Sequence, residues 1–410
     1  MSFVPQLCGR PNVPKHQGDS DVPYAYPYPY PSRVPRRSHD RRRAPARDRR
    51  APRPEVRPFR GLITIMSAHS GRPWGAERPG VLVVLLTVLA VLGGVTACSV
   101  QAGSSLRRAV PGFTNPVIPG LWTPERMADA NASDRSVVDG LGADLGETDP
   151  EPAPLPARPE RAPYRASAPA VGKVFFDGPD GPSVCSGTAV EDPARPGRSS
   201  LVWTAAHCVH GGKGGTWHRN IVFVPSYNDR GLAGGSRRTA EVAPLGTWWA
   251  DRAATSEEWI AEGASTGGGG SSGDFAVLRV ARKDTRASLQ QTAGVAVPVW
   301  FDAPPTAEIA AMKAWGYPAA DPFDGERMFT CQDRPGRLSL RPDRPSLYRI
   351  GCTMTGGSSG GGWFARRPDG SSALVSNTSI GPAGSTWLAG PRLGSEARAV
   401  YASVSRGDQA

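Results

Sequence analysis

The sequence predicts an all-β fold for its C-terminal part, and three observations support this prediction. Short runs of β-branched and aromatic residues recur from about residue 169 onward, separated by Gly- and Pro-rich turns. The chain contains 49 Gly and 42 Pro, which favours loop-rich β structure over helical bundles. The same region has no long stretch with the periodicity of an amphipathic helix. Short strands joined by frequent turns are typical of β-barrels.

The strand signals lie at regular intervals along this region. Each combines apolar, β-branched or aromatic residues and ends at a turn signal. The runs predicted to be strands are 171–176, 200–204, 221–225, 275–280, 295–301, 312–317 and 373–376.

The net charge of +11 belongs to the N-terminal tail. Residues 1–65 carry 14 Lys and Arg against 5 Asp and Glu, whereas residues 98–410 carry 32 against 31. The tail has Pro-Tyr alternation and Arg clusters without apolar periodicity, so we expect a disordered extension. It is either a basic cytoplasmic tail or untranslated sequence ahead of a start at Met66. No nucleic-acid partner is predicted, because the region that carries the β signals is nearly neutral.

Residues 66–97 have the layout of a signal peptide or membrane anchor. Arg72 and Arg78 precede an apolar run at 81–97, which is short for a helix that crosses a bilayer. The run ends at Cys98 in a pattern that resembles the bacterial lipobox, in which the cysteine is lipidated. The pattern predicts export, and three forms remain open: a membrane lipoprotein attached through Cys98, an uncleaved N-terminal helix, or a secreted protein.

Residues 98–168 are rich in Pro, Ala, Gly and acidic residues, and their helix and strand signals are poor. Pro clusters favour an extended and semi-rigid chain, so we predict a linker here. The linker would hold a folded domain, predicted at residues 169–410, away from a membrane surface.

Three short motifs in the folded domain indicate its chemistry. His207 lies in Thr-Ala-Ala-His-Cys after a predicted strand, Asp274 opens Asp-Phe-Ala-Val-Leu, and Ser359 lies in Gly-Ser-Ser-Gly-Gly. A histidine base, an aspartate that orients it and a serine nucleophile form a catalytic triad. Subtilisin-like enzymes carry these residues in the order Asp, His, Ser, and α/β-hydrolases carry them in the order Ser, Asp, His. The order His, Asp, Ser excludes both.

These motifs resemble those of the chymotrypsin/trypsin-like serine proteases, and bacterial secreted members in particular. The resemblance implies two six-stranded antiparallel β-barrels, at about residues 169–285 and 286–410. It implies that Ser359 attacks the peptide bond to form an acyl-enzyme and that His207, oriented by Asp274, transfers the proton. Backbone N–H groups would bind the oxyanion, and they belong to Gly357 and Ser359.

Each assignment has rivals nearby in the sequence. Ser358 is adjacent to Ser359, but only Ser359 has Gly two positions before it and Gly-Gly directly after it. The competing aspartates, which lack the motif, are Asp251 and Asp284. His210 and His218 also lack a motif and are expected to lie on the surface.

The cysteines of the folded domain are Cys185, Cys208, Cys331 and Cys352. An even set downstream of an export signal predicts two disulfides in an oxidising compartment, and the sequence alone allows three connectivities. The resemblance favours Cys185 with Cys208, because family members link the strand before the histidine loop to the cysteine beside the histidine. That leaves Cys331 with Cys352.

Substrate preference is weakly encoded. By resemblance, the candidate pocket residues are Thr353, six positions before the nucleophile, and Ser376, on the run beyond it. An uncharged Thr353 argues against a preference for Lys or Arg. Ser358 stands where animal digestive enzymes carry an Asp that pairs with a newly formed N-terminus, so that activation switch should be absent.

The sequence therefore predicts an exported serine endopeptidase that acts on protein or peptide substrates. The motifs that bind metals, phosphates or dinucleotides are missing, so no metal and no cofactor is predicted. The oligomeric state is not encoded in any pattern found here. The alternative is a non-catalytic, protease-like surface lipoprotein that binds peptide or cell-wall material.

Overall fold

The computed structural model describes residues 112–406 apart from 139, 143–145, 169, 233–237 and 267. The predicted extension (1–65), the predicted signal peptide or anchor (66–97) and Cys98 lie outside the described residues. Among the helices that are described, none has the length and apolar character needed to cross a membrane. The domain boundaries given above stay predictions.

Strands dominate the described part of the chain, and the helices are short. The strands are β1 (Asn131–Ala132), β2 (Ser136–Val137), β3 (Arg158–Pro159), β4 (Val171–Gly178), β5 (Gly181–Val190), β6 (Leu201–Thr204), β7 (Arg219–Pro225), β8 (Trp248–Thr255), β9 (Ala276–Ala281), β10 (Met312–Gly316), β11 (Phe329–Asp333), β12 (Gly336–Leu338), β13 (Leu347–Gly351), β14 (Gly362–Arg366), β15 (Ser372–Asn377), β16 (Gly381–Pro382) and β17 (Trp387–Gly390). The α-helices are α1 (Pro124–Ala128), α2 (Tyr164–Ser167), α3 (Thr239–Val242), α4 (Glu257–Glu262), α5 (Leu289–Ala293) and α6 (Ser395–Ser405).

The first half of the fold is a closed antiparallel barrel. Its strand order is β5-β4-β7-β8-β9-β6, and β6 pairs back with β5 to close it. Buried side chains such as Val174, Phe223 and Leu278 fill its interior. β6 and β9 are antiparallel neighbours with Thr204 opposite Ala276. The residues that follow β6 and those that precede β9 therefore lie at the same end of the barrel.

The second half contains two antiparallel groups of strands around another core. One sheet has the order β15-β14-β10-β11-β3 and the other the order β12-β13-β17. Met312, Ile350, Trp363 and Val375 are buried in the core that they share. The predicted all-β class with two barrels is confirmed, and the strands of the second half are divided between two sheets.

Most predicted strands agree with β4, β6, β7, β9, β10 and β15, but the prediction of a strand at 295–301 is wrong. This run forms only isolated bridges, from Val297 to Val190 and from Val299 to Leu374. Val190 belongs to the first barrel and Leu374 to the second half. The run passes from one half to the other, so no single neighbour offers it a continuous ladder of hydrogen bonds.

Residues 112–168, hereafter the N-terminal segment, pack against the rest of the fold and so differ from the extended spacer that composition predicts. Trp122, Met127 and Tyr164 are buried at 5%, 1% and 1% exposure. β1 pairs with β5, β2 with β16 and β3 with β11. Pro keeps the backbone extended, while a few large apolar side chains supply the burial that stabilises its position.

The disulfide prediction is confirmed for both pairs. Cys185 is bonded to Cys208, and Cys331 is bonded to Cys352. The first bond connects β5 to the residue beside His207, so it joins two elements that border the candidate site.

Candidate active site

His207 and Asp274 meet at the end of the first barrel, where the pairing of β6 with β9 places them. The backbone N–H of His207 donates to Asp274 Oδ1 at 2.9 Å. His207 Nδ1 lies 2.8 Å from Asp274 Oδ2. One carboxylate thus holds both the main chain and the ring of the histidine, which fixes the ring's orientation and directs its other nitrogen away from the aspartate.

Asp274 is fully buried and receives further hydrogen bonds at Oδ2. Ser379 Oγ donates at 2.6 Å and Arg135 Nη1 at 2.9 Å. Burial by itself would raise the pKa of Asp274, but the charges of His207 and Arg135 and the hydrogen bonds from His207 and Ser379 outweigh it. They hold the pKa of this carboxyl well below its usual range, so Asp274 is a carboxylate at neutral pH.

A second histidine supports the backbone of the first. His218 Nε2 lies 3.1 Å from the carbonyl oxygen of His207, and its ring stacks on Phe176 with centroids 4.7 Å apart. Burial lowers the pKa of His218 to about 4, so it is neutral at physiological pH and donates this hydrogen bond. The expectation that His210 and His218 lie on the surface is wrong, because they are only 5% and 8% exposed.

Close backbone contacts place the loop that carries Ser359. The carbonyl of Ser359 accepts from the N–H of Ser186 at 2.7 Å, and Gly360 N–H donates to Thr378 O at 2.8 Å. Gly360 has φ +78°, and a Cβ there would lie 2.2 Å from Thr204 Oγ1 and 2.8 Å from the nitrogen of Ala205. Only glycine permits this approach, which brings the Ser359 loop against the end of β6 that leads into His207.

Gly357, the predicted oxyanion donor, is also held by its backbone. It has φ +90°, and a Cβ there would lie 2.7 Å from the carbonyl oxygen of Tyr317. Its own carbonyl accepts from Ser186 Oγ at 2.9 Å. Its N–H points in the other direction and donates to the carbonyl of Ser133, in the N-terminal segment, at 3.1 Å.

The rival residues do not share this arrangement. Ser358 Oγ donates to the carbonyl of Thr355 at 2.7 Å, which turns the hydroxyl toward its own loop. Asp251 pairs with Arg279 and Asp284 pairs with Arg282, and both of these aspartates are largely exposed. Of the candidate aspartates, only Asp274 contacts His207 in the described residues.

The cleft beside Ser359 is lined by Met354, Thr355, Thr378 and Ser379, among other residues. Thr353 lies outside this lining, and its Oγ1 accepts from the N–H of Ala157 at 2.9 Å. Ser376 is fully buried, and its Oγ donates to Pro391 O at 2.8 Å. The geometry therefore does not favour a place for Thr353 or Ser376 in the substrate pocket.

No thiolate is available at the site for a metal ion. Ligand atoms of Cys185, His207 and Cys208 lie within 4.8 Å of one another. The two sulfur atoms are bonded to each other in the disulfide, so neither carries the charge that a metal–thiolate bond requires.

Sequence reasoning missed Arg135, which is 2% exposed and contacts Asp274. It also missed Asn377, whose Nδ2 donates to the carbonyl of Asp274 at 3.0 Å, and Ser379 as a partner of the carboxylate. Ser379 and Asn377 lie at the end of a predicted strand that points at the site. Arg135 carries no such signal, because it lies in no motif and beside no predicted strand.

Comparisons with known proteins place this geometry in context. No family model matches the chain, and no curated protein matches it. Among solved structures, a thermostable serine protease AL20 from an extremophilic microorganism is 34% identical, with a TM-score of 0.48. The match covers 59% of this chain and 99% of that one. The protease Anisep from Arthrobacter nicotinovorans is 29% identical, covers 60% and 99% of the two chains, and has a TM-score of 0.47.

A Glu endopeptidase is 17% identical, with 61% of this chain and 97% of that chain covered and a TM-score of 0.44. The AL20 match carries the assignment, because it reaches 34% identity over nearly the whole of that protease. With the motifs around His207, Asp274 and Ser359, this identity shows that the chain belongs to the chymotrypsin-like serine proteases.

Proposed function

We propose that the protein is an exported serine endopeptidase that hydrolyses peptide bonds through His207, Asp274 and Ser359. The observation that carries this proposal is the pairing of His207 Nδ1 with the buried carboxylate of Asp274 at 2.8 Å. The loop of Ser359 packs beside this pair through the close backbone approach at Gly360. A carboxylate in this place keeps the proton on Nδ1 and leaves Nε2 free to act as the base.

The first chemical step is the attack of Ser359 Oγ on the carbonyl carbon of the substrate. His207 Nε2 takes the hydroxyl proton as the C–O bond forms, and the buried charge of Asp274 stabilises the imidazolium that results. Transfer of that proton to the amine nitrogen of the leaving group allows the C–N bond to break. Water then enters, gives a proton to His207 and hydrolyses the ester, which regenerates Ser359.

The negative charge that develops on the carbonyl oxygen needs donors that are in place beforehand. The N–H groups of Gly357 and Ser359 fill this role in the proposal. Loss of one such donor typically lowers kcat about 10²- to 10³-fold. Gly357 has a positive φ, and the bond from Ser186 Oγ to its carbonyl holds the peptide that follows its Cα. Both limit the movement of the backbone next to this N–H, which supports the assignment.

Export is the second part of the proposal. The two disulfides favour an oxidising compartment. Attachment to a membrane through Cys98, or through an N-terminal helix, rests on the sequence pattern alone, since these residues lie outside the described ones. The substrate would be a protein or peptide that reaches the outer side of the membrane.

Covalent labelling with a fluorophosphonate tests the proposal. The full chain is treated intact and after limited proteolysis, beside Ser359→Ala and a heat-denatured sample, and the labelled peptide is sequenced by mass spectrometry. We expect label on Ser359 of the folded wild type only. Label on Ser358 would contradict the assigned nucleophile. A folded chain that stays unlabelled in both forms would favour the alternative, a protease-like surface lipoprotein that binds peptide or cell-wall material.

A further inference from the structure

The N-terminal segment crosses the candidate active site between the two halves of the fold. We call residues 131–137 the crossing segment. At one end β1 pairs with β5, with Asn131 opposite Ser183, and the N–H of Ser133 donates to Val184 O at 2.9 Å. At the other end β2 pairs with β16, with Ser136 opposite Gly381. The crossing segment is thus bound by main-chain hydrogen bonds on both sides of Ser359.

Between these two ends, the crossing segment occupies the groups that the proposed reaction needs. The carbonyl of Ser133 accepts the N–H of Gly357 at 3.1 Å, which is the donor proposed for the oxyanion. Asp134 packs so closely on Gly356 that a Cβ on this glycine would lie 2.7 Å from Asp134 Cβ. A substrate carbonyl could reach Gly357 only after the crossing segment has moved.

Arg135 anchors the crossing segment beneath the catalytic pair. Its guanidinium donates to Asp274 Oδ2 at 2.9 Å and lies 4.6 Å from the centre of the Trp259 ring. Nε donates to Ala264 O at 2.7 Å and Nη2 to Gly269 O at 2.8 Å. A guanidinium that is 2% exposed and bonded on every side is held firmly, because its charge would lose these partners on any displacement.

The site has little space for a substrate in this state. The cavity beside Ser359 has a volume of about 10 Å³, enough for about one water molecule. Ser359 is 3% exposed. His207 Nε2 is buried and has no hydrogen-bond partner among the described residues. The low exposure of Ser359 and the small cavity beside it close the candidate site to a substrate in this arrangement.

We propose that the crossing segment is an intramolecular inhibitor, and that the protein becomes active when the segment is displaced or removed. This inference rests on the proposed function and adds its regulation. Because the segment belongs to the same chain, its effective concentration at the site is in the millimolar range, so modest contacts suffice to keep it bound. Activation requires the bond between Gly357 and Ser133 to open and Arg135 to leave Asp274.

The test uses the full chain in four forms. They are the wild type, Arg135→Ala, the double variant Ser133→Pro with Arg135→Glu, and the control Arg158→Glu. Proline removes the N–H that donates to Val184, and glutamate repels Asp274. The control reverses an exposed charge in the same N-terminal segment, on β3. Thermal unfolding confirms that each form is folded.

Two measurements are made on each form. The first is the rate of fluorophosphonate labelling at Ser359. The second is hydrogen exchange, followed by mass spectrometry, in peptides that cover residues 131–137 and Gly357, which needs no catalysis. We expect both rates to rise about tenfold or more in the double variant, less in Arg135→Ala and not in the control, because each rate scales with the open fraction.

The outcomes separate this inference from the proposed function. Unchanged exchange, or labelling of the wild type as fast as that of the double variant, would overturn the inhibitor while leaving the protease. Slower labelling of Arg135→Ala would overturn it too and would make Arg135 a support of Asp274. Faster exchange without labelling in any form would uphold the segment's closure of the site and overturn the protease.

Discussion

The two halves of the fold hold their functional groups by different means. The first barrel holds His207 and Asp274 through side chains, with one carboxylate bonded to the histidine ring, the histidine backbone and Ser379. The second half holds Ser359 through its backbone, at glycines that approach neighbouring strands too closely for any side chain. A polar substitution should therefore disturb the first arrangement, and a single added methyl group should disturb the second.

The largest effect on kcat is expected at Ser359, the proposed nucleophile. Ser359→Ala should lower kcat by about 10⁶-fold, because it removes the hydroxyl that is proposed to form the acyl-enzyme. The measurement is peptide hydrolysis in whichever form of the wild type, intact or cleaved, is most active. Ser358→Ala is the matched control and should stay within about tenfold of wild type, since its hydroxyl faces Thr355 O. Equal losses in both variants would mean that the loop as a whole matters and not one serine.

The side-chain arrangement of the first barrel is tested by Asp274→Asn. An amide has the same shape as the carboxylate but favours the wrong tautomer of His207, so kcat of the folded variant should fall by about 10⁴-fold. Asp251→Asn removes an exposed carboxylate on the same barrel and should change little. Full activity of Asp274→Asn would show that another group orients the histidine.

The backbone arrangement of the second half is tested by Gly360→Ala. The new Cβ would lie 2.2 Å from Thr204 Oγ1, so the free energy of unfolding should fall by about 3 kcal/mol or more. Gly370→Ala is the control, because it has a similar φ of +83° but no atom within 4 Å. It should cost only about 1 kcal/mol, through backbone strain. Equal losses in chemical denaturation would assign the whole effect to φ and none to the close approach.

The smallest effect concerns the support of His207 by His218. In the folded protein the pKa of His218 is lowered to about 4, whereas in the unfolded chain it is about 6.5. The unfolded state therefore binds more protons between these values, and stability is lost as the pH falls through this window. The free energy of unfolding should drop by about 2 kcal/mol between about pH 7.5 and about pH 5 through this group alone.

His218→Gln keeps a donor for His207 O and removes the titration. Denaturant unfolding at both pH values should show a smaller drop for this variant than for the wild type. An identical drop in the two proteins would mean that other groups cause the acid sensitivity.

The sequence made the candidate catalytic residues more accessible than the contacts that hold them. His207 and Asp274 lie in motifs next to predicted strands, and Ser359 lies in a motif of its own. The contact of Arg135 with Asp274 joins residues 139 positions apart. Such a contact follows from how a proline-rich segment folds back, and neither composition nor periodicity encodes it. The bond from Arg135 to the carbonyl of Gly269, in the glycine-rich run before Asp274, has no sequence signal either.

Strand β3 affects the solubility of the protein, because it covers an edge of a sheet. This strand consists of Arg158 and Pro159 and covers β11 at the edge of the five-stranded sheet. A proline and a charged side chain on a two-residue edge strand offer no continuous ladder to another chain, which protects a sheet from intermolecular pairing. Removal of the whole N-terminal segment would uncover the edge at Phe329 and Thr330. Proteolytic cleavage that removes the crossing segment but retains β3 would open the active site and keep the edge of β11 covered. The activated protein would then expose no sheet edge there that is prone to aggregation.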